Sequence, residues 1–377
     1  MQLRKLGLVL AGATVMAPTL ASAAEFQAGD WTMNVGGFIN AYYTTVSCSG
    51  NQSVGGAALA NQALGCAGSD ERTTIGNGLL PNALVTSAKS KQNGYDIGAT
   101  IMIGAATATD SAIGANSAVD VRQAFFTIGS DAGTFKLGRD YGAFGANAIL
   151  SDMTLIGAGA PVQATQRGRV TLGHIGAGYT YLGHYGQITY SAPASSPVGV
   201  TVGLYSPVDN GGGDIATRSP QLQGVASVSG SGMKGWVGAK YQELKPVVGS
   251  KYHVEGVEVG GSFSGSGFGL LANFQDGKAL GVLADGDAGD TKQTNYFLQA
   301  TVNPSSAVKI GLNFGESKLK EGAGTSLEKN TNLTLGLYYS LTKSVTLVAE
   351  VSQTKSTAFN GNEAKLKGGS IGGIVFF

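Results

Sequence analysis

Arg122, Lys136, Arg139, Asp140, Asp152, Arg167 and Arg169 fall within one stretch, Val121 to Val170, of a chain whose charged residues make up only 13%. Charges of both signs crowded this way can serve acid–base chemistry, metal binding or the ordering of ions. Hydrolytic chemistry finds little support. His174, His184 and His253 are the only histidines, and none stands beside a nucleophile-elbow signature. Asp285-Gly286-Asp287-Ala288-Gly289-Asp290 has a calcium-like look but lacks the bidentate glutamate and spacing of an EF-hand, so it reads as a solvated outer loop. No metal site and no cofactor are expected. A ring of charges in a narrow aqueous passage, which orders water and biases which ions enter, fits best.

The elements around these residues support that choice. Val121–Gly129 and Thr134–Arg139 alternate apolar and polar residues across the tight turn Ser130-Asp131-Ala132-Gly133, which predicts a β-hairpin. The Gly- and Ala-rich connection that follows is too long to be a simple link, and such loops inside compact domains are usually functional. Within the hairpin, Lys136 shares the parity of Thr134 and Gly138 and points inward. The same parity turns Arg139 outward unless the strand ends or bulges there.

Alternation recurs down the chain. Leu298, Ala300 and Val302 face one way and Gln299, Thr301 and Asn303 the other; Leu312 and Phe314 alternate with Gly311 and Asn313, and Leu347, Ala349 and Val351 with Thr346 and Glu350. Short turns and longer polar connections alternate strictly, seven of the first and eight of the second. That layout predicts an all-β fold: a 16-stranded antiparallel transmembrane β-barrel, with the third long loop folded inward. Closure leaves no sheet edge for lipid to meet unsatisfied. No run of about twenty apolar residues exists to form a membrane-spanning helix after the leader.

Residues 1–24 read as a signal peptide: Arg4 and Lys5, an apolar stretch Leu6–Leu20, then Ala21-Ser22-Ala23, with cleavage after Ala23 or Ala24. Residues 25–377 then form one exported domain. Cys48 and Cys66, the only cysteines, share one loop and would pair in an oxidising compartment. Basic and acidic residues, 25 and 24, nearly cancel, so nothing points to a nucleic-acid partner.

With these features in view, the sequence resembles the general-diffusion porins of Gram-negative bacteria. Arg122 followed by Ala124-Phe125-Phe126, the turn, Gly138-Arg139-Asp140-Tyr141-Gly142 and then Asp152-Met153 match that family's fourth and fifth strands and its constriction loop. The final aromatic pair Phe376-Phe377 resembles the family's assembly signal. The resemblance implies a multi-pass protein of the outer membrane, a homotrimer in contact with lipid and lipopolysaccharide, passing ions and small hydrophilic solutes. It assigns Arg122, Arg139 and Asp152 to the pore constriction and Arg169 less closely, as an arginine at the start of the sixth strand; Lys136, Asp140 and Arg167 are further candidates from their place in the same charged stretch. For Asp152 the alternative is a hydrogen bond that anchors the loop. Two departures matter. Ile156 stands where the family often has a glutamate, and Val85 lies near an expected basic residue. Losing that carboxylate predicts a weak preference for anions, and Ile156→Glu should restore cations. A second transport reading is a channel selective for a sugar or organic acid, with Tyr141, Phe144, Tyr179 and Tyr181 as an aromatic track. A closed-lumen adhesin or a barrel enzyme would show no stable open channel.

Overall fold

Period-two alternation becomes sixteen hydrogen-bonded strands. The computed structural model describes residues 23–105, 107, 119–159, 161–166, 169–181, 183–209 and 213–377, with backbone alone at 161–166 and 169–170. The signal-peptide residues before Ala23 and Arg167 lie outside the described residues. In chain order the strands are β1 (Trp31–Gly50), β2 (Glu71–Gly76 with Asn82–Gln92), β3 (Tyr95–Ala105), β4 (Asp120–Ser130), β5 (Gly133–Tyr141) and β6 (His184–Ser191). There follow β7 (Gly199–Tyr205), β8 (Gln221–Gly230), β9 (Met233–Lys245), β10 (Tyr252–Gly265) and β11 (Phe268–Lys278). The last five are β12 (Lys292–Val302), β13 (Val308–Leu319), β14 (Leu327–Ser340), β15 (Val345–Ala358) and β16 (Glu363–Phe376). Each pairs antiparallel with the next, and β16 returns to β1 through Phe38↔Phe376 to Gly50↔Ala364. The barrel is closed. No helix among the described residues is long and apolar enough to cross a membrane; the strands do so instead.

The two faces of the wall sort by polarity. On β12 to β14, Leu298, Leu312, Leu333 and Leu335 are exposed, whereas Gln299, Asn313, Asn332 and Thr334 point away from them and are mostly buried. Apolar side chains therefore face outward, where lipid satisfies them, and polar ones inward. This inverts an ordinary globular core, and it decides which residues can reach anything inside.

Two local features position the interior. Strand β2 breaks at 77–81, where Pro81 cannot donate to a ladder. The Asn40 amide fills the gap: its nitrogen donates to the Leu80 and Pro81 carbonyls, and its oxygen accepts from the Gly78 N–H. The break turns Leu79 and Leu80 inward. In the first loop, Cys48 and Cys66 are joined in a disulfide, and Leu59 and Ala60 donate backbone N–H groups to Asn330 and Ser356 across the barrel mouth.

Candidate pore-loop site

The connection between β5 and β6 is built to bond with the inner wall. It opens with helix α1 (Ala146–Ser151), preceded by Gly145 at φ 76, and passes through Asp152 into a 3-10 turn, Met153–Ile156. A left-handed glycine suits that abrupt start. From there the loop crosses the barrel, and several of its described backbone groups bond to side chains of the wall. Gln223 on β8 accepts from the Ala143 and Phe144 N–H groups at 2.7 and 2.9 Å. Glu258 on β10 accepts from Gly145. Gln299 on β12 accepts from Met153 N–H at 2.7 Å and donates to the Ser151 carbonyl at 2.9 Å. Glu350 on β15 accepts from the Ala158 and Gly159 N–H groups at 2.7 and 2.6 Å, and from the Tyr338 hydroxyl. Tyr42 on β1 donates to the Ile156 carbonyl, and Gln275 on β11 brackets Thr180 from both sides. Buried backbone groups need partners, and here long polar side chains supply them in place of a ladder.

Asp152 is the hub. One carboxylate oxygen accepts from Thr154 N–H at 2.8 Å, its hydroxyl at 2.7 Å and the Asn313 amide at 3.3 Å. The other accepts from the Tyr179 hydroxyl at 2.8 Å and lies 3.2 Å from His174 Nδ1. Burial alone would raise this carboxyl, but His174 and the two Thr154 donors outweigh it and hold it below the usual carboxylate range. Its side chain is 0% exposed, so it cannot greet a passing ion. The anchoring role is the one its surroundings describe.

The wall also makes room by omission. Gly315 on β13 lies against the loop backbone, where a Cβ would collide with the Ala177 carbonyl oxygen. Gly157 likewise leaves space for the Glu350 carboxylate. Gly315→Val is therefore expected to lift the 177–178 segment from the wall at a cost of about 1–3 kcal/mol. Hydrogen exchange should then quicken at Gly178 and Tyr179, while the β13 ladder keeps its protection.

The other expected constriction residues divide. Lys136 pairs with Asp140, lies 5.1 Å over the Phe125 ring, and both charges are buried; Gln123 adds a second donor to Asp140. Arg122 sits at a register shift opposite Met102 and Ile103 and pairs with Asp120 at 2.6 Å. Arg139 keeps the outward parity of Phe135 and Leu137, and its Nε donates to the Val121 carbonyl at 2.9 Å. It stands apart from the Lys136–Asp140 pair, because nothing in β5 shifts its register against β4. Arg169 lies in a short strand, Arg169–Thr171, whose side chain there is not described. Ile156, where a glutamate was expected, packs towards Phe38, Leu80 and Met102, so a carboxylate placed there would meet the apolar wall. Of the four aromatics read as a track, Tyr141 is half-buried and donates its hydroxyl towards Met102 Sδ at 3.7 Å. Phe144, Tyr179 and Tyr181 are buried, the two tyrosines packing with Ile149, Trp236 and Phe297. The acidic run is solvated only in part: Asp287 and Asp290 are exposed, but Asp285 is buried against Lys240, and Asp287 accepts from the Val282, Leu283 and Ala284 N–H groups.

Several of the described lysines stand on the inner face. Lys136 and Lys240 are neutralised by Asp140 and Asp285. Lys234 donates to the Asn147 amide of the loop, Lys309 lies 5.0 Å over the Tyr338 ring, and Lys89 is exposed on the face of Ala83 and Val85. Those three have no carboxylate within ion-pair distance among the described residues.

A family model described as Gram-negative porin matches residues 9–358. No curated protein matches the sequence. Among solved structures, the chain is similar to the anion-selective porin from Comamonas acidovorans (TM-score 0.67, 15% identity, covering 92% of this chain and 100% of that one). It is similar to the outer membrane channel DcaP of Acinetobacter baumannii (TM-score 0.67, 14% identity, 94% and 100%) and to OmpF of Salmonella typhi in complex with daunomycin (TM-score 0.64, 13% identity, 94% and 100%).

Proposed function

Because this chain belongs to the Gram-negative porin family and is a multi-pass β-barrel of the outer membrane, we propose that it forms a water-filled channel for passive diffusion of ions and small hydrophilic solutes, with a weak preference for anions. The observation that carries the preference is the imbalance on the inner wall. Lys89, Lys234 and Lys309 keep unpaired positive charge, whereas Asp152, Glu258 and Glu350 spend theirs on loop donors. A pore whose free charges are of one sign enriches the opposite ion. The name of the Comamonas neighbour as anion-selective agrees with this reading. The assembly we propose is a homotrimer, in keeping with a Vibrio cholerae relative described in trimer form. Export under a leader of residues 1–24, contact with lipopolysaccharide, and absence of catalysis complete the proposal. Reconstitution into a planar bilayer tests it: steady, ohmic single-channel steps are expected, and a folded protein that stays electrically silent would sink the channel reading.

A further inference from the structure

Loop 279–291, between β11 and β12, does not extend outward as its acidic, glycine-rich sequence suggests. It folds into the barrel mouth and is pinned from three sides. Lys240 on β9 pairs with Asp285 at 2.5 Å, and the two side chains are 2% and 1% exposed. The Gln221 amide on β8 donates to the second Asp285 oxygen at 3.0 Å. The Gly281 carbonyl accepts from Thr180 of the pore loop and from Gln293 of β12. Asp287 caps three successive N–H groups, so 282–287 is a preformed turn. Val282 then joins Leu59 of the disulfide-closed first loop in a single buried cluster.

From this arrangement we infer that loop 279–291 is a second fixed wall of the channel, and that the Lys240–Asp285 pair both latches it and masks a lumen lysine. The inference rests on the channel reading above. A buried ion pair is costly to break because the partner left behind is an uncompensated charge. Losing Asp285 therefore unlatches the loop and bares Lys240; losing Lys240 unlatches it and bares Asp285. Both changes widen the mouth, but they push ion selection in opposite directions.

Single-channel conductance and reversal potential under a KCl gradient test the inference on full-length reconstituted protein. Asp285→Asn and Lys240→Gln should each raise conductance above the wild type, with the reversal potential moving towards anions in the first and towards cations in the second. Asp290→Asn removes a charge from the same loop at its exposed pair with Lys278 and is expected to leave conductance as in the wild type. Protease cutting within 279–291 should appear in the two latch variants alone. If either variant fails to fold, the other still gives a conductance and a sign. An open wild-type channel whose latch variants match it in conductance, reversal potential and cleavage would overturn the inference while leaving the channel reading intact. A silent wild type would instead defeat the channel reading.

Discussion

Asp152→Ala should free the pore loop while leaving the barrel standing. The carboxylate accepts from Thr154 twice, from Tyr179 and from Asn313, with His174 beside it. Its removal strands those donors in a buried site, and hydrogen bonds to a charged group are worth about 1.5–3 kcal/mol each. Because the stranded groups can relax or recruit water, a net loss of about 3 kcal/mol in local stability is the reasonable scale. That corresponds to roughly a hundredfold rise in the open population of the loop, at 1.4 kcal/mol per factor of ten. Hydrogen exchange should accelerate from Ala146 to Tyr179, conductance should rise and become noisy, and the strand ladders should keep their protection. Unchanged loop protection would mean that Gln299, Glu350 and Gln275 hold the loop without its hub.

The second large effect concerns ion choice. Lys234→Glu with Lys309→Glu should convert the channel to cation preference. Neither lysine has a carboxylate within ion-pair distance among the described residues, so each reversal swings the lumen by two charges without breaking a described ion pair. Unit charges a few Å apart interact by about 1 kcal/mol in bulk water and about 4 kcal/mol near a protein surface. A several-fold change in the permeability ratio is the expected outcome, shrinking as salt screens the wall. The same double change made at Lys318 and Lys320, exposed at the rim and paired with Glu328 and Asp276, should do far less.

Local pattern was enough for the barrel. Alternation in stretches such as Leu298–Val302 and Leu333–Tyr339 reports which face meets lipid, and the spacing of turns counts the strands. The candidate site was only half legible. Gln299, Asn313 and Glu350 stand out in sequence as inward polar residues. A side chain facing water and one bonding a loop leave the same period-two trace. Their partners lie far off in the chain: Ala158 from Glu350, Asp152 from Asn313, Ala60 from Ser356. Asp285 misled for a related reason. An acidic, glycine-rich loop looks solvated until Lys240, on a strand well before it, is found opposite. The motif around Arg122 and Asp152 was visible, yet the chemistry it suggested belongs partly to other residues: Asp152 anchors, Arg139 turns outward, and the unpaired positive charge sits on Lys89, Lys234 and Lys309.

The reversal potential of the unmodified channel under a KCl gradient reads the balance of free charge in its lumen. With its acids bound to the loops and three lumen lysines unpaired, the channel should show a small potential of the sign that marks chloride as the more permeant ion, fading as salt is raised. A potential of the opposite sign, persisting across ionic strength, would mean that the lumen's free charge is negative.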